Sequence, residues 1–134
     1  MAVYMLDTDI ASYIMKRSND RVVEKIKAIP VSTMCISAVA ESELWFGVES
    51  SPRRRKDQGA LEDLLQYLQV LDYPAAASLD YGRIRADLKQ RGAMIGANDL
   101  LIAAHARCLG LILVTNNTRE FKRVPGLKLE NWTE

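Results

Sequence analysis

The chain has little cysteine, proline and glycine, a single histidine and no long apolar run. The two cysteines, Cys35 and Cys108, lie far apart and lack a CxxC spacing, which excludes a disulfide-stapled scaffold and favours a reduced, intracellular protein. A formal net charge of +1 excludes a strongly positive potential over the whole surface, so any polyanion must be bound by a local group of basic residues. No apolar segment approaches about 20 residues, and the first residues lack a basic segment. We therefore expect a soluble, cytoplasmic chain that makes no membrane contact.

The 134 residues, 49% of them hydrophobic, predict a single domain over residues 1–134 with one core. Short apolar runs predict strands at 3–6, 33–36, 70–71, 111–115 and 127–129, and apolar residues at helical spacing predict helices between them. Alternating strands and helices are typical of parallel strands joined by helical crossovers. The predicted fold is a three-layer α/β/α sandwich with a central, mainly parallel sheet of four to five strands.

Local signals predict where several helices begin and end. Ser37 is expected to cap a helix over 38–49 that is broken near Gly47, and 52–68 forms the next helix. Pro74 fits the first turn of a helix running towards residue 91. Asn98 or a neighbour is expected to cap a further helix, which Gly110 ends.

Three acids stand at element ends without a His or Cys pattern beside them. Asp7 follows the first strand, Glu43 lies about two turns into the helix after the second, and Asp99 opens the helix before the fourth. Ligands of an open parallel sheet bind outside the carboxyl ends of its strands, so all three can face one crevice. Clustered carboxylates repel one another unless a cation neutralises them, and oxygen ligands favour Mg²⁺ or Mn²⁺ over zinc. The chemistry expected is metal-assisted attack on a phosphate.

Each acid also has a simpler explanation. Asp7 could end a strand while Asp9 caps the next helix, Glu43 could be a solvated helix residue, and Asp99 could be an N-cap. Joint placement at one sheet edge favours the site, because three independent explanations would otherwise have to coincide.

Other polar residues are weaker candidates. His105, on a helix rich in Ala and Leu, is expected to be packed or solvent-tipped rather than to act as a base. Thr115 ends a buried strand, where its hydroxyl could hydrogen-bond a metal ligand or a phosphate. Alternatively, threonine is present there only because it favours strands. One basic run is interpreted as a solvated helix start in preference to a phosphate contact. It consists of Arg53, Arg54, Arg55 and Lys56.

The segments around the acids form an ordered set. "MLDTDI" contains Asp7, "SAVAESELWFG" contains Glu43, "IGANDLLIAAHA" contains Asp99, and "LVTNNTREF" follows. Together they resemble the motifs of PIN-domain nucleases, in particular the VapC-type toxins of bacterial toxin–antitoxin pairs, and the resemblance runs nearly end to end. It implies an endoribonuclease dependent on Mg²⁺ or Mn²⁺, with the three acids as the metal-binding catalytic set and Thr115 as a polar site residue.

The resemblance also implies partners. It implies a homodimer and a cognate, VapB-like antitoxin that blocks the site and binds operator DNA through its own separate domain. The RNA substrate is expected to include tRNA, because the family contains enzymes that cut tRNA in the anticodon region. We expect an apolar groove for an antitoxin segment on the helices over 20–29 and 37–46.

One position departs from the family pattern. Many members carry a fourth acid where this chain has Asn117, with Glu120 three residues later. An amide oxygen can ligate a hard cation but brings no charge. A second metal should then be held more loosely, or Glu120 should substitute.

Two alternatives from other classes remain. "VYMLDTDIA" also resembles haloacid-dehalogenase-like phosphatases, in which Asp7 would be the nucleophile, Asp9 the general acid and Ser37 a phosphate contact. That family's later lysine and Gly-Asp motifs do not follow. A non-enzymatic Mg²⁺-binding regulatory module would explain an acidic pocket but leaves Glu43 and Asp99 on helices unexplained.

Overall fold

The computed structural model describes residues 1–134 and contains one five-stranded sheet in which all strands are parallel. The strands are short, and those at the centre are made of large apolar residues. They are β1 (Tyr4–Leu6), β2 (Met34–Ser37), β3 (Gln69–Leu71), β4 (Ile112–Val114) and β5 (Lys128–Glu130).

The strand order is β3-β2-β1-β4-β5. In the central register, Met5 of β1 pairs with Cys35 of β2 on one side and with Leu113 of β4 on the other. The chain builds outward from β1 through β2 to β3 and then returns to the opposite side of β1. The boundary between β1 and β4 is therefore the switch point at which a crevice opens beyond the carboxyl ends of the strands.

Seven helices connect and cover these strands, which confirms the predicted α/β/α sandwich. The first, α1, packs against the next three, and the fifth packs closely against the sixth. They are α1 (Thr8–Lys16), α2 (Asp20–Ala28), α3 (Ala38–Glu49), α4 (Arg54–Tyr67), α5 (Ala77–Arg91), α6 (Ala97–Leu109) and α7 (Thr118–Phe121).

The sheet and the inner helix faces share one connected cluster of buried apolar side chains. Met5, Ile36 and Leu113 contribute from the three central strands and Phe121 from α7, each with at most 1% of its surface exposed. Burying a side chain of this size contributes about 1.5–3 kcal/mol. The strands at the centre can therefore be very short, because burial on both faces holds them in register.

Helix α3 runs unbroken through Gly47, contrary to the expected break. A single glycine in a helix costs only about 1 kcal/mol. Leu44 and Val48, buried on either side of Gly47, pack α3 into the core and offset that cost.

Two helices begin later than their prolines suggest. The Ala77 N–H donates to the Pro74 carbonyl oxygen at 3.0 Å, so residues 74–77 form a separate turn before α5. Helix α4 begins at Arg54, and its approach is fixed by Ser51, whose hydroxyl oxygen accepts the Arg53 N–H at 3.0 Å.

Candidate active site

The candidate site lies at the switch point between β1 and β4. The Asp7 N–H donates to the Val114 carbonyl oxygen at 2.9 Å, so Asp7 and Thr115 leave the two strand ends side by side. Helices α3 and α6 add Glu43 and Asp99. Four elements thus bring polar side chains to the end of the sheet where the strands terminate. This end, with Asp7, Glu43, Asp99 and Thr115, is called the acidic edge below.

Asp7 is a buried carboxylate that also caps a helix. Its Oδ1 accepts the Ile10 N–H at 2.9 Å, and its Oδ2 accepts the Thr115 hydroxyl at 2.5 Å. Only 5% of the residue is exposed, and burial raises its pKa to about 6 although both hydrogen bonds act in the opposite direction. Asp7 itself, rather than Asp9, is the N-cap of α1, and Asp9 lies exposed in the first turn.

Glu43 is held by side chains from two other helices. Its Oε1 accepts the Thr8 hydroxyl at 2.5 Å, and its Oε2 accepts the Asn98 amide N–H at 3.3 Å. The residue is half-buried. These contacts do not fit a freely solvated helix residue.

Asp99 lies in the first turn of α6 and is half-buried. Burial, followed by the negative charges of Glu120, Glu43 and Asp9, raises its pKa to about 6. The expectation that Asn98 or Asp99 caps α6 is wrong, because Gly96 is the N-cap and no side chain bonds there.

The segment after β4 completes the edge. Thr115 is fully buried, and its hydroxyl oxygen accepts the Asn117 N–H at 2.9 Å. The Asn117 amide donates to Glu120 Oε2 at 2.5 Å, and Glu120 Oε1 accepts the Gly96 N–H at 2.9 Å. Asn117 and Glu120 therefore act as a pair that joins the start of α7 to the start of α6.

The basic run is linked to a different part of the molecule. Arg54 forms an ion pair with Glu49 at 2.6 Å, with about half of each side chain exposed. The other basic side chains of the run, Arg53, Arg55 and Lys56, are exposed at the start of α4. None of the hydrogen bonds or ion pairs of the run reaches the acids.

His105 is packed, which decides between the packed and the solvent-tipped alternatives. It is fully buried, its Nδ1 lies 2.9 Å from the Ser37 hydroxyl oxygen, and its ring meets the Tyr73 ring edge-on at 5.5 Å. Burial lowers its pKa, because a charged imidazolium is poorly solvated there. Its Nε2 has no hydrogen-bond partner and so makes no hydrogen bond to the acids.

The donor atoms of the acidic edge are of the type that binds a hard divalent cation. Asp7, Glu43 and Asp99 offer only carboxylate oxygens, and the raised pKa values of Asp7 and Asp99 mean that the protein's own groups compensate their charge poorly. A cation would supply that compensation. As the side chains stand, no three acidic, histidine or cysteine groups converge closely enough to surround one ion.

Sequence reasoning missed Thr8 and Asn98 as parts of this edge. Each is the immediate neighbour of a candidate acid, in "LDTDI" and "GANDL". A polar residue adjoining the acid in two separate motifs was the available signal.

Comparison with known proteins places the chain in a family. The PIN domain family model matches residues 4–127. The chain therefore belongs to the PIN-domain family, whose nucleases generally depend on a divalent metal ion.

Individual relatives match along their whole length. The chain is 42% identical over 132 residues to "Ribonuclease VapC2" of Haemophilus influenzae, covering 98% of this chain and 99% of that protein. It is 43% identical over 133 residues to "tRNA(fMet)-specific endonuclease VapC" of Shigella flexneri, covering 99% and 100%. A solved structure, VapBC2 from Rickettsia felis bound to a DNA fragment from their promoter, superposes with a TM-score of 0.91 at 39% identity, covering 97% of this chain and 98% of that one.

The phosphatase alternative is not favoured. Besides the family match, the hydroxyl oxygen of Ser37 is fully buried, bonded to His105, and accepts the Val39 N–H at 3.1 Å as the N-cap of α3. It is not free to contact a phosphate. None of the helices is both long and apolar enough to cross a lipid bilayer.

Proposed function

We propose that this chain is a Mg²⁺- or Mn²⁺-dependent endoribonuclease that hydrolyses phosphodiester bonds in RNA, inhibits translation, and acts as the toxin of a toxin–antitoxin pair. The observation that carries the proposal is the buried Asp7 at the β1/β4 switch point: besides burial, the charge of Asp99 is close enough to raise its pKa, and the charge of Glu43 is close enough to raise the pKa of Asp99. One relative named as a ribonuclease and one named as a tRNA(fMet)-specific endonuclease, matching end to end at 42–43% identity, support the same conclusion.

In this proposal Asp7, Glu43 and Asp99 hold the cation, and residues 1–134 act as one nuclease domain. The bound cation would lower the pKa of an attacking water and stabilise charge on the phosphoryl oxygens. Thr115 fixes the rotamer of Asp7 through its buried hydroxyl. Asp9, exposed near the acids, adds negative charge to the mouth of the site.

The number of divalent ions that the site can bind is inferred from the charge of its acids. The three acids carry three formal negative charges, enough for one divalent ion, whereas two ions would need about four. Asn117 is neutral, and Glu120 is bonded to Asn117 and to the Gly96 N–H, so we propose Glu120 as a support that joins α7 to α6 and not as a ligand. We therefore propose one tightly bound ion in the protein without RNA.

RNA is the proposed substrate, and tRNA is the class to test first because one relative is named a tRNA(fMet)-specific endonuclease. The acidic edge repels a polyanion, so cations elsewhere must bind its backbone. Although a solvated helix start is the preferred interpretation of the basic run, we propose the exposed side chains of Arg53, Arg55 and Lys56, and Arg54 once released from Glu49, as the first surface to test for that contact.

An antitoxin is the proposed protein partner, because the Rickettsia felis relative was solved with one. A groove of about 390 Å³ lies between α1, α2 and α4 and is lined mainly by apolar residues such as Ile14, Val23 and Leu64. Of the two helices on which a groove was expected, α2 lines this one and α3 does not; α1 and α4 form its other walls. We propose that an amphipathic antitoxin segment binds there, that operator DNA is contacted through the antitoxin, and that the toxin is a homodimer.

Expression in bacteria tests the function. Inducing the wild type alone should arrest growth and fragment cellular RNA, whereas Asp99→Asn, expressed to the same level, should do neither. The purified protein should not hydrolyse a small phosphate ester such as p-nitrophenyl phosphate. Ester hydrolysis without RNA cleavage would instead favour a phosphatase.

A further inference from the structure

We infer that Thr8 and Asn98 are positioning residues that fix the Glu43 carboxylate for the metal. The inference rests on the proposed function, because it takes Glu43 as a metal ligand. Its basis is that both Glu43 oxygens accept hydrogen bonds from side chains of other helices, Thr8 at 2.5 Å and Asn98 at 3.3 Å.

Glu43 needs such support more than the two aspartates do. It lies in the interior of α3, where backbone N–H groups are already used by the helix and cannot hold a carboxylate. Its side chain has three rotatable bonds, whereas Asp7 is fixed by a backbone N–H and a buried hydroxyl. Without outside donors Glu43 would sample several rotamers, and metal binding would have to restrict them.

Neither donor is occupied by the usual task of a polar residue at a helix start. Asp7 caps α1 in place of Thr8, and Gly96 is the N-cap of α6 in place of Asn98. Both polar groups are therefore available to Glu43. Each also adjoins an acid in sequence, so the Glu43 carboxylate is tied to the helix starts that carry Asp7 and Asp99.

Neutral donors suit this role electrostatically. A lysine or arginine would also hold Glu43 but would cancel the charge that a cation requires. A hydroxyl and an amide each occupy one lone pair on a different oxygen, which leaves a second lone pair on each oxygen for a metal. Thr8 should matter more, because its bond is shorter and partly buried whereas that of Asn98 is long and exposed.

Calorimetric titration of the purified protein with Mn²⁺ alone tests the inference. Thr8→Val, which keeps the side-chain shape but loses the donor, should weaken Mn²⁺ binding about tenfold, and Thr8→Ser should restore it. Asn98→Ala should weaken binding by a smaller factor of about three. Thr33→Val is the matched control: its hydroxyl bonds the Pro30 carbonyl oxygen before β2, at the opposite edge of the sheet, and its Mn²⁺ affinity should equal that of the wild type.

A double-mutant cycle separates positioning from general structural damage. In a Glu43→Gln background, Thr8→Val should cause no further loss of Mn²⁺ affinity if it acts through Glu43. An equal loss in both backgrounds, tighter binding by Thr8→Val, or no rescue by Thr8→Ser would overturn the inference. A Glu43→Gln protein that binds Mn²⁺ like the wild type would instead refute Glu43 as a ligand, and with it the metal site of the proposed function.

Discussion

Asp7→Asn should make the protein more stable in EDTA while removing its ribonuclease activity. The folded protein raises the pKa of Asp7 from 3.8 to about 6, mainly by burial. A raised carboxyl pKa means that the ionised form fits the fold poorly, so the stability that Asp7 contributes is complete below pH 3.8 and is lost as the pH rises through 6. Asparagine cannot ionise and avoids this loss.

The magnitude follows from the same pKa values. At 1.36 kcal/mol per pKa unit, the rise from 3.8 to about 6 corresponds to about 3 kcal/mol of destabilisation at pH 7.5. Asparagine caps a helix as well as aspartate does, so the bond to the Ile10 N–H survives. In the wild type the Asp7 carboxylate accepts the Thr115 hydroxyl proton, whereas the asparagine NH₂ group is itself a donor and cannot accept it. Loss of this hydrogen bond costs about 1.5 kcal/mol. The net expectation is about 1–2 kcal/mol of stabilisation at pH 7.5.

At pH 5.0 the linkage contribution falls to about 1.6 kcal/mol, so Asp7→Asn and the wild type should be nearly equal in stability. Urea unfolding in EDTA at both pH values measures this, and the gain should grow by about 1.4 kcal/mol between them. Asp20→Asn, an exposed position in the first turn of α2, is the matched control and should show no such growth. A gain independent of pH, or net destabilisation at pH 7.5, would refute the assignment of strain to the buried charge.

Four further predictions concern the site and its supports. Asp99→Asn should lower RNA cleavage at saturating Mn²⁺ by about a hundredfold or more in a gel assay, because a ligand charge is lost. Thr115→Val should lower the free energy of unfolding by about 1–2 kcal/mol in urea, since it unpairs Asp7 Oδ2 and the Asn117 N–H, and Thr115→Ser should restore it. Asn117→Asp should tighten Mn²⁺ binding in calorimetry by adding a charged oxygen beside the acids. Gly59→Ala, with open space around the missing Cβ inside α4, should stabilise the protein by about 0.5–1 kcal/mol, whereas Gly110→Ala, at φ +69°, should destabilise it by about 1 kcal/mol.

Each of these has a contradicting result. If Asp99→Asn cleaved RNA at the wild-type rate, Asp99 would not be a metal ligand. If Thr115→Val had the same free energy of unfolding as the wild type, the buried hydroxyl would make no net contribution to stability. Unaltered Mn²⁺ affinity in Asn117→Asp would place that side chain outside the site. Equal effects of the two glycine substitutions on the unfolding midpoint would contradict the backbone argument.

The sequence was sufficient for the sheet and the position of the acids. Apolar runs too short for helices end at Asp7 and just before Thr115, and the rule for parallel sheets places both residues at one edge. Glu43 follows from the Ser37 cap of α3, which has a clear local signal. Helix α6, which carries Asp99, is instead capped at Gly96 and not at the expected Asn98. These conclusions depend on short-range pattern and chain topology, which a single sequence carries well.

The contacts between helices could not be predicted in the same way. Asn98 is a residue type that favours the N-cap position, yet Gly96 is the N-cap of α6. The Asn98 amide instead donates to Glu43, 55 positions earlier in the chain. Thr8 meets Glu43 across 35 positions, a distance set by how α1 packs against α3. Pro74 fits a first helical turn by propensity but forms a separate turn. In each case a tertiary partner or a competing turn outweighs a local preference of about 1 kcal/mol.

Cleavage of end-labelled tRNA by the purified protein is the most direct test of the proposed function. Wild-type protein with Mn²⁺ should cut the tRNA at discrete positions, EDTA should stop the reaction, and Asp7→Asn and Asp99→Asn should leave the tRNA intact although both remain folded. Wild-type protein that fails to cut RNA with either Mn²⁺ or Mg²⁺, or cleavage that persists in EDTA or in both aspartate variants, would contradict the assignment of a metal-dependent ribonuclease to this acidic edge.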